Sequence, residues 1–148
     1  RLDEAEVICE AMSTVDNSCR VPFYRGRIAW VRGEHEKAES IFKQMILDYS
    51  DDWLAYANMA DAMAYACRYD EAIVYYKKAY ELQPSPKYND AQITAAHIYE
   101  IQGKYENAIA SLNEQLEVLK NEWNITEGRE IDRIYSEINR LQRISTNC

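Results

Sequence analysis

"RYDEA", residues 68–72, recurs in altered form three more times: as "RLDEA" at 1–5, "EHEKA" at 34–38 and "KYENA" at 104–108. Each copy ends in alanine, and the alanines at 5, 38, 72 and 108 are separated by 33, 34 and 36 residues. A period of that size marks a chain built by copying one supersecondary unit. The residues around the word say what the unit is.

Each copy leads into a run with helical spacing. "KAESIFKQMI" (37–46) sets Ala38, Ile41, Phe42, Met45 and Ile46 on one face, and the next copy does the same with Ala72, Tyr75, Tyr76, Ala79 and Tyr80. A second helical segment precedes each word: "PFYRGRIAWVR" (22–32), "WLAYANMADAMAYA" (53–66) and "NDAQITAAHIYEIQ" (89–102). Gly33, Asp51 with Asp52, Pro84-Ser85-Pro86 and Gly103 punctuate these segments, since Gly frees the backbone and Pro blocks continuation of a helix. The unit is therefore helix, turn, helix.

The recurring small residues predict how the two helices meet. Close approach requires a missing side chain, so Ala38, Ala72 and Ala108 are expected to face Gly26, Ala60 and Ala96. Phe42, Tyr76 and Leu112 then fill the seam further along, with Trp30, Met63 and Tyr99 on the partner helices. One such pair cannot bury its apolar face alone, and stacking several does so.

Residues 53–86 resemble the tetratricopeptide repeat: Trp53 or Tyr56 near the start, small Ala60, then Tyr69, Asp70-Glu71-Ala72, Tyr76, Ala79 and closing Pro84, in the order of its 34-residue pattern. Segment 19–52 keeps Gly26, Gly33, Ala38 and Phe42 but has Pro22 and Arg25 where the pattern prefers an aromatic and an aliphatic residue. Segment 89–122 keeps Ala96, Tyr99, Gly103, Tyr105, Ala108 and Leu112 and has Lys120 in place of the terminal Pro, so its second helix is expected to run on. Residues 1–18 read as the second helix of a repeat whose first is absent. The expected fold is all-α, a right-handed α-solenoid over 1–122 (half repeat 1–18, then 19–52, 53–88 and 89–122). Residues 123–148 form a C-terminal capping segment, in which "TEGREIDRIYSEINRLQRIS" (126–145) sets Ile131, Ile134, Ile138 and Leu141 at heptad-like intervals. A homodimer seam through that helix is the alternative to capping.

Composition narrows the function. The chain has 148 residues, 47% hydrophobic and 28% charged, and a net charge of −8, which repels a phosphate backbone and argues against direct nucleic-acid binding. The spacing of Cys9, Cys19, Cys67 and Cys148 forms neither a metal or redox pair nor a dense disulfide framework, which points to a reducing cytoplasm. No run approaches 18 apolar residues, so no membrane partner is expected, and no secretion signal opens the chain. Arg1 lies inside a repeat without an initiator Met, as expected of part of something longer.

Catalytic chemistry finds little to use. There are two histidines, His35 and His97, and the "HE" at 35–36 has no second His four residues on, so the zinc-protease motif is missing and no metal or other cofactor is expected. His35 reads as a partly buried helix-start residue. Cys67, where the family usually has Gly, reads as a small, partly buried turn residue without a His to activate it. "NIT" (124–126) matches a glycosylation sequon by chance, and Thr126 is expected to cap the last helix.

What remains is a binding surface. The resemblance places Phe23, Arg27, Trp30, Asn58, Asp61, Tyr65, Ile93, His97 and Glu100 on a concave groove lined by the first helix of each pair. Aromatic, Arg and Asn side chains suit a protein or peptide ligand, the polar groups meeting its backbone and carboxylates and the aromatics its apolar side chains. Chaperone-binding members of the family grip a C-terminal carboxylate, but the matching positions here are Phe23, Arg27, Asn58, Asp90 and Thr94; Asn58 alone conforms, and Asp90 repels. The leading expectation is a non-enzymatic scaffold for a peptide or protein segment. "DDWLAYANMADAMAYACRYDEAI" and "EWNITEGREIDRIYSEINRLQ" are also similar to C-terminal tetratricopeptide regions of bacterial helix-turn-helix regulators, in which the repeats sense a ligand or dimerise. An accessory region of a larger enzyme is the third alternative.

Overall fold

The helical spacing of the sequence is realised throughout. The computed structural model describes residues 1–147, and among them every regular element is an α-helix: α1 (Leu2–Ser13), α2 (Arg20–Val31), α3 (His35–Asp48), α4 (Trp53–Tyr65), α5 (Tyr69–Leu82), α6 (Asp90–Ile101), α7 (Tyr105–Trp123) and α8 (Arg129–Thr146). α2, α4 and α6 are the first helices of the pairs, and α3, α5 and α7 the second.

One backbone device makes all three intra-pair turns. Gly33, Cys67 and Gly103 have φ of +81°, +58° and +70°. The amides of Glu34, Arg68 and Lys104 each reach back five residues, to the carbonyls of Ala29, Met63 and Tyr99, at 2.9, 2.9 and 2.8 Å. The amides of Gly33, Cys67 and Gly103 reach back three residues, to the carbonyls of Trp30, Ala64 and Glu100, at 2.9, 3.0 and 2.9 Å. This is the full left-handed helix stop, which satisfies the last carbonyls of the first helix and reverses the chain. Cys67 holds a glycine's place in it, and its side chain is exposed, not partly buried, because the left-handed turn aims it at solvent.

The chain forms two compact units, residues 1–82 and residues 83 onward. In the first, α1 packs on α2, α2 on α3 and α4, α3 on α4, and α4 on α5. Its core is Ala38, Phe42, Met45, Ala55, Met59, Ala60, Met63, Ala72 and Tyr76. The seam between α2 and α3 is offset from the expected register. A Cβ on Gly26 would meet the ring of Phe42, so the large ring and not Ala38 fills the space left by the glycine. Trp30 lies instead against His35, ring centroids 4.3 Å apart, and His35 is exposed where partial burial was expected. Arg32 ties α2 to α1 through Asp3 (2.8 Å) and Glu6 (2.9 Å), and Arg25 through Glu10 (3.0 Å).

In the second unit α6 packs on α7 and α7 on α8. α7 runs on through Lys120 to Trp123, and its end holds the incoming segment: Trp123 Nε1 donates to the Lys87 carbonyl at 2.8 Å, and the Glu122 carboxylate accepts from the Lys87 amide at 3.0 Å and from the Ser85 hydroxyl. α8 buries Ile131, Ile134, Ile138 and Leu141 against a cluster that includes Ala96, Ala108, Leu112 and Leu119. Gly128, not Thr126, stands at the N-cap of α8. The chain is still turning at 124–128, with Asn124 (φ +55°) and Gly128 (φ +110°) both left-handed, so helical geometry begins too late for Thr126 to cap it. None of the helices among the described residues is long and apolar enough to cross a membrane.

Candidate functional site

In the first unit, α2 carries Phe23, Arg27 and Trp30 at intervals of four and three, and α4 carries Asn58, Asp61 and Tyr65 at three and four, so each set shares one helix face. The packing of α2 on α4 brings members of the two sets together. The Arg27 guanidinium carbon lies 4.9 Å from the Tyr65 ring centroid and 5.6 Å from that of Phe23, a cation held between two rings. Tyr65 is 65% exposed, which leaves most of its surface open to a ligand.

The other members are more committed. Phe23 is nearly buried, its ring 6.4 Å from that of Phe42, so it presents little surface to solvent. The size that makes it look like a ligand anchor in the sequence is used inside. Asp61 accepts a hydrogen bond from the Tyr76 hydroxyl, and the Asn58 Nδ2 points at the Cys19 sulfur at 3.6 Å. Burial and the neighbouring Asp52 carboxylate push the Cys19 thiol up to about 11, so it stays protonated and unreactive near neutral pH.

In the second unit Ile93, His97 and Glu100 line a cavity of about 240 Å³ between α6, α7 and α8. The wall from α8 is the part sequence reasoning missed: Arg133 and Glu137 line the cavity, and Arg140 donates to Glu100 at 2.7 Å and to Glu137. The hydrogen bond from Arg140 holds the Glu137 carboxyl below its ordinary range, helped by the charges of Arg140, His97 and Arg133 and opposed by burial. Those charges sit between the heptad-spaced apolar residues of α8, where the pattern alone reads as a solvated face. Among the described residues no group of three or more His, Cys, Asp or Glu is placed to hold a metal ion.

Residues 53–86 match a tetratricopeptide repeat family model, and residues 90–118 match a second model of the same description. Residues 53–86 and 90–118 are tetratricopeptide repeats. Solved structures share the fold. The TPR2B domain–pHsp70 complex of yeast Sti1 aligns at 24% identity and a TM-score of 0.60, covering 82% of this chain and 96% of that one. The crystal structure of MamA aligns at 13% identity and a TM-score of 0.56, covering 94% and 86%. No curated protein sequence gives a significant match. The first matched span is the stretch whose residues carry the resemblance most fully, α4 and α5. At the positions where chaperone-binding tetratricopeptide domains grip a carboxylate, Phe23 is nearly buried and the Thr94 hydroxyl is turned back to the Asp90 carbonyl at 3.0 Å.

Proposed function

We propose that this chain is a non-enzymatic interaction scaffold that binds a peptide or protein segment on the exposed faces of its first helices. In the first unit the contacts come from Arg27, Trp30, Asn58, Asp61 and Tyr65, over a floor that includes Phe23; in the second they come from Ile93, His97 and Glu100. The observation that carries the reading is the Arg27–Tyr65 pair. An arginine held over an exposed tyrosine is preorganised, so little side-chain freedom is lost when it meets a backbone carbonyl or carboxylate of a ligand. Aromatic and arginine side chains are also those that most often dominate binding energy at interfaces.

The reading is tested by selecting binders from a displayed peptide library and measuring their affinity for variants. Tyr65→Ala and Trp30→Ala should each weaken the selected peptides by roughly 2 kcal/mol, about thirtyfold, while the melting temperature changes little. Lys77→Ala and Glu114→Ala, on the second helices, should do little. Binding abolished by the second-helix changes and indifferent to the first would move the ligand to the other face.

A further inference from the structure

Gln115 is an unusual residue for the middle of α7. It is only 2% exposed, it lines the cavity bounded by Ile93, Leu112, Ile134 and Leu141, and its side-chain Nε2 has no acceptor among the described residues. A buried donor left unpaired is costly, so an acceptor that enters the cavity, a water or a ligand oxygen, offsets that cost by pairing with it. The cavity, about 240 Å³, has the volume of about eight water molecules, enough for one substituted six-membered ring.

The lining selects among ligand oxygens. A carboxylate would accept from Gln115 but has no proton to offer the Glu100 and Glu137 carboxylates that line the same cavity. A hydroxyl both accepts and donates. The apolar walls favour a ring over a short chain, since a rigid ring covers Ile93, Leu112 and Ile134 with little loss of internal freedom. We propose that the α6–α7–α8 cavity is a pocket for a neutral phenolic group, with Gln115 Nε2 donating to the phenol oxygen and a cavity carboxylate accepting its proton in a hydrogen bond. The phenol is either the side chain of a tyrosine in a bound segment or a free small molecule; the first source rests on the scaffold reading above, the second does not.

The test titrates the isotopically labelled full chain with 4-methylphenol and with toluene, which has nearly the same shape but no oxygen. The expected result is saturable binding of 4-methylphenol with displacement of the Gln115 side-chain amide resonances, and toluene weaker by about twofold to tenfold, the span of one net hydrogen bond. Gln115→Leu should remove that preference without lowering the melting temperature, because it deletes an unpaired buried donor. Ile93→Trp, which fills the cavity from its half-exposed edge, should block both probes. Equal binding of the two probes by the parent chain, a 4-methylphenol preference that survives Gln115→Leu, or shifts confined to the first unit would overturn the assignment. N-acetyl-tyrosine methylamide separates the sources: binding that depends on Gln115 supports tyrosine, and failure beside a bound 4-methylphenol excludes it and leaves the free phenol. A chain that binds 4-methylphenol through Gln115 yet selects no library peptide keeps the pocket and loses the scaffold reading; the opposite outcome loses the pocket alone.

Discussion

The ring of Phe42 occupies the place where residue 26 would carry a Cβ: its Cζ stands 2.6 Å and its Cδ1 2.9 Å from that position. Both residues are buried, and Phe42 is 1% exposed, so the ring has no open side to move toward. Gly26 is therefore a packing requirement of the α2–α3 pair and not a flexible point in α2.

Gly26→Ala tests this directly. Helix propensity alone would favour alanine by about 1 kcal/mol, whereas overpacking a closed seam costs roughly 1–3 kcal/mol or more. The clash should win, and the urea midpoint should fall. In a Phe42→Leu background the obstructing ring is gone, and the same substitution should become neutral or stabilising. A midpoint that rises in the parent chain would show that the ring yields and that Gly26 is not required by packing.

Cys67 is the natural contrast, since it carries a side chain where Gly33 and Gly103 carry none, at the same left-handed turn position. A non-glycine residue there is strained by about 1 kcal/mol, and the lost contact from the Tyr69 hydroxyl to the Cys67 sulfur, 3.7 Å and exposed, is weak. Cys67→Gly should raise stability by about 1 kcal/mol, read as a higher urea midpoint with an unchanged slope. Gly33→Ala and Gly103→Ala should each lower it by a similar amount, although nothing lies within 4 Å to clash with the added methyl group.

The helix pairs are legible from the recurring word because alanine at a fixed place in a 33- to 36-residue period has few explanations other than close helix contact. The extension of α7 is legible in the same way, from Lys120 standing where a helix-stopping proline is expected. The seam register was not. Whether Gly26 faces Ala38 or Phe42 depends on one turn of helix offset, and the bulk of the ring settles it in three dimensions. His35 and Thr126 were misplaced for a related reason: local sequence proposes a start residue or a cap, but the Trp30 ring and the left-handed Asn124 and Gly128 decide where the side chain and the helix go. At the candidate site, Ile93, His97 and Glu100 are readable as one face of α6. The α8 residues opposite them are not, because the packing of α8 on α7 turns Arg133, Glu137 and Arg140 toward that face.

The Glu137–Arg140 contact has a pH signature. The hydrogen bond from Arg140 depresses the folded-state pKa of Glu137 below the ordinary value of 4.5, to which the group returns on unfolding. Its contribution to stability is therefore fully present above that ordinary value and is lost as pH falls through the depressed folded value. Both side chains are 40% exposed, so solvent screening keeps the effect small. Arg140→Met should lower the urea midpoint at neutral pH and flatten its decline on acidification below the ordinary glutamate range. Parallel pH profiles for the parent and the variant would show that the Glu137–Arg140 contact within α8 does not contribute to stability.

Ile131, Ile134, Ile138 and Leu141 are 6%, 2%, 7% and 1% exposed, and they cover Ala108, Leu112 and Leu119 on α7. Burying a large aliphatic side chain contributes about 1.5–3 kcal/mol, so four of them are a substantial share of what holds the second unit together. Deleting residues 127–148 should expose this cluster, bind an apolar dye and drive association. If that truncation is too insoluble to study, Leu141→Asn in the full chain places one polar amide in the same interface and should lower the melting temperature sharply, while Tyr135→Asn on the exposed side of α8 should not. A dimer through the apolar face of α8 would have to pull that helix off its own unit, so sedimentation should show the full chain without any self-association that depends on Ile134 or Leu141. A truncated chain that stays monomeric, dye-negative and as stable as the parent would show that α8 is not required to cover α7, and would free its apolar face for a partner.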